Sequence, residues 1–377
     1  MPSIKDAKHS FRLELNVLLF IGLVFTPAAQ TQQSSAADRQ DSDQKAEQIH
    51  IPNRAPYPLF EGKQGRQKTE IYFDPATGMV TLKLLVQDPN GYFIPNIKRD
   101  NFVVYENGVR RQIENVEVEH PPVSLGLLLE FGGRSPGLNR LLGEQISSAG
   151  SQLLDRLEHE DKVAIWKYNG KVEKLSDFSQ AAGLYNIFYS LGTPEISEAN
   201  LYDAIIFTLQ QMRGVAGRKA LVLISSGMDT FSKASHEDAL KAAQKSDFPI
   251  YSISLARDLQ RAVQLQDLTT SVGVVDWGAL DKYLEDIATA SGGRSYAPQA
   301  TIDLSPIYDD VMENLKTRYV ITYRSSTQEM NSPRSVRVEL VNPKTSKPLQ
   351  IVDANGRTIK AGVILQSSYA PNTASSR

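Results

Sequence analysis

The sequence predicts an α/β fold: a doubly wound, mostly parallel sheet of the Rossmann-like kind, with β segments flanking it. Three observations lead there. Apolar runs recur at Val123–Phe131, Ala220–Ser225 and Pro249–Leu255, each too continuous for a strand with one wet face. Stretches with helical apolar spacing separate them. Alternating apolar and polar residues with tight-turn signals bracket the region on both sides. Strands that alternate with helices imply right-handed crossovers and a parallel sheet.

Taken in order, the first element is an export signal. Lys5, Lys8 and Arg12 precede the apolar run Val17–Phe25, and Thr26–Ala29 supplies small residues for cleavage. Residues 1–29 are expected to be a signal peptide. The run falls short of the roughly 20 residues that span a bilayer; an uncleaved N-terminal anchor is the alternative and the single membrane attachment expected. Residues 30–65, rich in Gln, Ser, Ala and Asp and then in Pro and Gly, have no apolar period and are expected to be a disordered linker.

Residues 66–121 form a small β module. Val80, Leu82 and Leu84 alternate with polar residues before an Asp88–Gly91 turn. Phe102–Tyr105 leads into the hairpin signal Glu106-Asn107-Gly108, and Ile113, Val116 and Val118 mark a further strand. His120-Pro121-Pro122 ends the module, since proline cannot continue a ladder.

Residues 122–318 are the α/β domain. Leu138, Leu142, Ile146, Ala149, Leu153 and Leu157 recur at helical spacing, and Val163–Tyr168 reads as a strand. Leu201, Ile205, Leu209 and Met212 mark a second helix, and Glu237–Lys245 a third. Leu280, Leu284 and Ile287 mark another, closed by Gly292-Gly293; Leu304, Ile307, Val311 and Leu315 mark the last. Residues 319–369 are a C-terminal β segment: Tyr319–Tyr323 and Ser335–Val341 pair with the first module or with each other. No pattern places 342–369, and 370–377 is a tail.

Composition narrows the chemistry. Apolar residues make up 41% and charged residues 22% of the 377 residues, enough for a sizeable core. A net charge of −2 argues against a nucleic-acid footprint. Cysteine is absent, which excludes disulfides, thiolate metal sites and thiol nucleophiles. Ligands of such sheets sit at the carboxyl ends of the strands. The ends of interest are Glu130–Arg134, the loop before Leu201, and Ser225–Asp229. Gly132–Gly137 matches neither glycine-rich phosphate pattern, and Pro136 removes an amide. Ser226 lacks the upstream glycine of a nucleophile elbow, because Ile224 stands there. His9, His50, His120, His159 and His236 are all expected to be exposed rather than catalytic. Glu158 and Asp161 are expected in a solvated turn.

Four stretches carry a resemblance. They are the strand ending at Glu130, Leu157–Ile165, Asn200-Leu-Tyr-Asp-Ala-Ile205 and Leu221–Asp229. In this order they resemble a von Willebrand factor A domain. With Asp100–Gly108 before and Tyr319–Tyr323 after, residues 69–341 are similar to the VWFA-related family typical of acidobacterial genomes. The resemblance implies adhesion or assembly, with a divalent ion held at the top of the sheet by a ring of hard oxygens. This chain departs from the ion-binding pattern. Glu130 stands for the first aspartate, Gly132 and Arg134 for the two serines, Ala199 for the threonine and Ser226 for the second aspartate. Two like unit charges about 4 Å apart repel by ~4 kcal/mol at an effective dielectric of 20, so Arg134 opposes a dication. The expectation is therefore no metal, no cofactor and no catalysis. An exported protein, periplasmic or secreted, would bind a protein partner through a face comprising Glu130, Gly132, Arg134, Ala199, Ser226 and Asp229. The rivals are a metal-dependent adhesin with unusual ligands and an exported hydrolase.

Overall fold

The computed structural model describes residues 48–51, 70–89, 91–133, 136–265, 274–301, 304–325, 332–353, 355–365 and 368–369. The expected signal peptide, the linker apart from 48–51, and the tail lie outside the described residues, as does Arg134.

Within the expected linker, β1 (Gln48–His50) is a strand. Next come β2 (Glu70–Asp74), β3 (Met79–Gln87), β4 (Phe102–Glu106), β5 (Val109–Arg111) and β6 (Ile113–Glu119). The α/β unit follows with β7 (Val123–Glu130), β8 (Gly132–Gly133), α1 (Pro136–Leu154), β9 (Lys162–Tyr168), β10 (Val172–Ser179), α2 (Tyr185–Ser190) and β11 (Glu195–Ile196). It continues through α3 (Leu201–Met212), β12 (Arg218–Ser225), α4 (His236–Lys245), β13 (Ile250–Ser254) and α5 (Ala256–Leu265). It ends with α6 (Trp277–Ser291), β14 (Ser295–Tyr296) and α7 (Ser305–Lys316). The last strands are β15 (Arg318–Arg324), β16 (Arg334–Leu340), β17 (Gln350–Val352), β18 (Thr358–Ile359), β19 (Gly362–Ile364) and β20 (Ser368–Tyr369).

The α/β unit is doubly wound. Its six-stranded sheet has the order β10-β9-β7-β12-β13-β14, parallel throughout except that β10 runs antiparallel to β9. That edge hairpin was not read from the sequence. The central strands are buried on both faces, which is why they read as unbroken apolar runs. One face packs α1, α2, α5 and α7 around Leu125, Leu127, Leu129, Ile146, Tyr308 and Val311. The other packs α3, α4 and α6 around Leu128, Trp166, Ile205, Leu223, Leu284 and Ile287. Gly292 closes α6 with a left-handed φ of 90°, where a Cβ would be strained.

The β segments before and after this unit form one sandwich. One sheet has the order β19-β3-β15-β6, with β2 also on β3; the other has the order β20-β16-β4-β5. The tyrosine-rich β15 therefore lies between β3 and β6, antiparallel to both. Tyr319, Ile321 and Tyr323 fill a core with Leu82, Leu84, Phe102, Val104, Val336 and Val338. A small third sheet joins β1, parallel, to β17, and β17 to β18. The unplaced residues 342–369 thus supply four short strands, β19 and β20 extending the two sandwich sheets and β17 and β18 forming the third with β1.

The expectation for Asp161 needs correction. Asp161 is fully buried rather than solvated. Its carboxylate accepts from the amides of Val123 and Glu158, at 3.0 and 2.8 Å, and from Lys316 Nζ. It pins the start of β7 to the end of α7, where an uncompensated buried carboxylate would be costly. Glu158, which remains exposed, shares the same lysine.

Candidate functional site

The strand order reverses between β7 and β12, because the chain moves from β7 to β9 on one side and later to β12 on the other. The carboxyl ends of these two strands flank the crevice where such sheets bind ligands. Glu130 ends β7 there, and Ser225 ends β12.

Glu130 is 2% exposed. Its carboxylate turns inward and accepts from Ser225 Oγ at 2.8 Å, the Ser226 amide at 2.7 Å, Ser226 Oγ at 2.8 Å and Tyr168 Oη at 3.3 Å. Supporting bonds fix these donors. The Gly227 amide donates to Ser225 Oγ, the Met228 amide to Ser226 Oγ, and Tyr168 Oη lies 2.9 Å from Ser225 Oγ. Burial raises the Glu130 carboxyl above the usual carboxylate range, and the serine and tyrosine bonds oppose that shift only in part. Burial and the neighbouring carboxylate push the Tyr168 phenol well up. The crevice is thus filled by the chain's own acid, sealed by three hydroxyls and an amide.

A strip formed by residues 195–200 lies across the same end of the sheet. β11 pairs with β8, Glu195 with Gly132 and Ile196 with Gly133. The Ser197 amide donates to the Gly133 carbonyl, the Asn200 amide to the Asn169 carbonyl, and the Thr230 amide to the Ala199 carbonyl at 2.9 Å. The Ala199 amide returns a bond to Thr230 Oγ1 at 2.7 Å. Asn139 on α1 holds the strip's other end through the carbonyls of Gly133 and Glu195. Gly132 is glycine for lack of room: a Cβ there would lie 2.6 Å from Ser197 Oγ and 2.7 Å from both Asn169 Cβ and the Glu198 carbonyl.

Asp229 is half-buried and occupied. It accepts from the Tyr202 amide in the first turn of α3 and from the Ser232 amide and hydroxyl. Asp203 completes the join by accepting from the amides of Lys233 and Ala234, both at 2.9 Å. These carboxylates complement a helix N-terminus and clamp the loop after β12 onto it.

Five of the six sequence-predicted site residues lie among the described residues, all at this end of the sheet. Glu130, Gly132 and Ser226 are buried at the strand ends, Ala199 is buried within the strip, and Asp229 is a capping residue. The residues do not fit the divalent ion that the resemblance implies. The one acid of the set points into a pocket of donors, Gly132 leaves no space for a side chain, and Ala199 presents a methyl group. Among the described residues no three His, Asp or Glu side chains come together.

Sequence reasoning missed what stands outermost. Ile196 is 66% and Phe231 73% exposed, one on the strip and one beside its Ala199–Thr230 junction. Their signal was a large apolar residue set among mostly polar neighbours in each of two loops. It also missed Glu198 Oε2 and Asn200 Oδ1, two buried acceptors on the strip with no hydrogen-bond donor among the described residues. His236 is half-buried rather than exposed, its ring lying between Tyr202 and Tyr283.

No family model matches the chain, and no curated protein matches it either. Solved structures do. An aerotolerance-related membrane protein from Bacteroides fragilis is similar at 14% identity and TM-score 0.37, over 51% of this chain and 98% of that one. The vWF domain of a type V pili tip protein from Porphyromonas gingivalis is similar at 12% identity and TM-score 0.35, over 52% and 95%. Proximal thread matrix protein 1 from the mussel byssus is similar at 15% identity and TM-score 0.38, over 54% and 49%.

Proposed function

We propose that this chain is an exported, non-enzymatic protein-interaction module that binds a protein partner through the crown of its parallel sheet without a bound metal. One observation carries the reading: the Glu130 carboxylate is consumed inside the fold by Ser225, Ser226 and Tyr168. A carboxylate in that state offers no ligand to a cation and no proton to a substrate. Ser226 Oγ is likewise turned inward onto Glu130 and fully buried, so it is not presented to a substrate as a nucleophile must be. What the crown offers instead is contact area. Ile196 projects from the strip and Phe231 from the loop bonded to it, and exposed apolar anchors on a rigid support are the usual centre of a protein interface. Gly132, Ala199, Ser226 and Asp229 support this face, and Arg134 is assigned to it from its place in the sequence, two residues after Gly132.

Two measurements test the reading together. Calorimetric titration with Mg²⁺, Mn²⁺ and Ca²⁺ should show no binding in the micromolar range. Capture of cell-envelope proteins by the purified chain should persist in excess chelator and fall at least about tenfold in an Ile196→Arg/Phe231→Arg variant, as loss of anchor residues implies. Micromolar metal binding that Glu130→Ala abolishes would falsify the proposal.

A further inference from the structure

We infer that the free edge of β6 is a second interaction surface, one that takes up an extended segment of a partner protein carrying alternating basic and apolar residues. β6 is the last strand of its sheet. β15 bonds one side, and among the described residues no strand bonds the other. Seven residues is long for an uncovered edge, which is a ready template for another strand.

The register says what such a strand would meet. Val118 pairs with Tyr319, Val116 with Ile321 and Ile113 with Tyr323. Those three partners are buried in the sandwich core, so Ile113, Val116 and Val118 stand on the core face too. They are nonetheless incompletely covered, with Ile113 and Val116 half-buried and Val118 41% exposed. The apolar row thus runs out to the edge unfinished, and one more strand would continue it.

The other face of β6 is acidic. Glu117 lies opposite Val320, and Glu119 opposite Arg318. Glu119 Oε2 accepts from Lys83 at 2.9 Å, while its Oε1 is buried and has no donor among the described residues. Glu117 has a distant bond from the Asn115 amide at 3.5 Å. Glu114, at the irregularity in the ladder, pairs with Arg324. The Arg99 guanidinium already donates to the Glu114 carbonyl at 3.3 Å, so a cationic donor is accommodated at this strand.

Charge selects the occupant. A second copy pairing through the same edge would set Glu114, Glu117 and Glu119 against their equivalents, and like charges across a ladder are destabilising. A strand with lysine or arginine at alternate positions meets the glutamates on one face and offers apolar residues to Ile113, Val116 and Val118 on the other. In strand addition the main-chain bonds supply affinity and the alternating side chains supply selectivity. This surface lies on the sandwich and shares no residue with the crown.

The test uses the full chain and a fluorescent heptapeptide of alternating lysine and valine, followed by anisotropy. Saturable binding is expected, weakened about fivefold to tenfold by Glu117→Lys and abolished when alternate peptide amides are N-methylated. An N-methylated peptide that binds equally well would reduce the effect to electrostatics and overturn the inference. So would equal binding by wild type and Glu117→Lys, or no binding at millimolar peptide. Two further outcomes also overturn it by naming another occupant: a concentration-dependent dimer tied to β6, or much tighter peptide binding once residues 52–69 are deleted. Ile196→Arg/Phe231→Arg leaves peptide binding unchanged, which separates a failure here from a failure at the crown.

Discussion

Glu130 illustrates how one side chain settles what a strand end can do. Its carboxyl is raised above the ordinary carboxylate range, chiefly by burial. A folded-state pKa above the unfolded value means that the folded chain binds more protons in the window between them. The stabilising contribution is then present below the unfolded pKa, near 4.5, and is lost as pH rises through the folded pKa. Glu130→Gln should therefore flatten the fall in melting temperature over that window, measured by thermal denaturation at a series of pH values. A slope unchanged by the substitution would assign it to other groups. The sequence showed that a carboxylate ends β7, because an apolar run that stops at an acid before two glycines is visible. It did not show which way the acid faces. That depends on Tyr168, Ser225 and Ser226, which lie 38 to 96 residues away and come together only when β9 and β12 flank β7. Asp229 is a similar case: its partners on α3 are fixed by the closing of a loop, not by local spacing.

At the scale of elements, the longer helices α1, α3, α4, α6 and α7 and the buried strands were legible, whereas α2, α5 and the edge strand β10 were not. The helical apolar period and the Gly292 cap place α6, and the continuous runs place β7, β12 and β13. β10 carries no comparable signal, because an exposed edge strand with two register shifts has no strict alternation. The strip at residues 195–200 was invisible for a related reason. Its strand is two residues long and is held by Asn139, Gly133 and Thr230 rather than by its own pattern. Gly132 is what allows the strip to lie so close. Gly132→Ala should cost about 1–3 kcal/mol through overpacking against Ser197, Asn169 and Glu198. Chemical denaturation would register this as a lower midpoint with an unchanged slope.

For the molecule as a whole, the main departure from the linear reading is that the sandwich draws on both ends of the described chain. The sequence showed that 319–341 is β structure, but alternation cannot say which strand is the neighbour. A buried cluster fastens the two contributions together. Glu106 of β4 accepts from Tyr323 at 3.2 Å, Ser325 at 2.8 Å and Tyr369 at 2.7 Å, beside Arg111 and Arg334. Glu106→Ala removes the carboxylate beside the buried Arg334 and the half-buried Arg111 and should lower stability by about 3–5 kcal/mol, seen in equilibrium unfolding. Ending the chain at residue 317 removes β15 from between β3 and β6. The β signal in circular dichroism should then drop, and limited proteolysis should cleave within 70–119 under conditions where the complete chain resists.

The placement of β15 also governs the order in which the protein can be made. β3 and β6 leave the ribosome, or the export channel, long before the strand that separates them. Throughout that interval the early strands carry open backbone positions that only a late arrival can fill. Assembly of the sandwich is therefore a final step gated by completion of the inserted unit. A nascent chain stalled within that unit presents to chaperones a half-built sheet with a gap one strand wide.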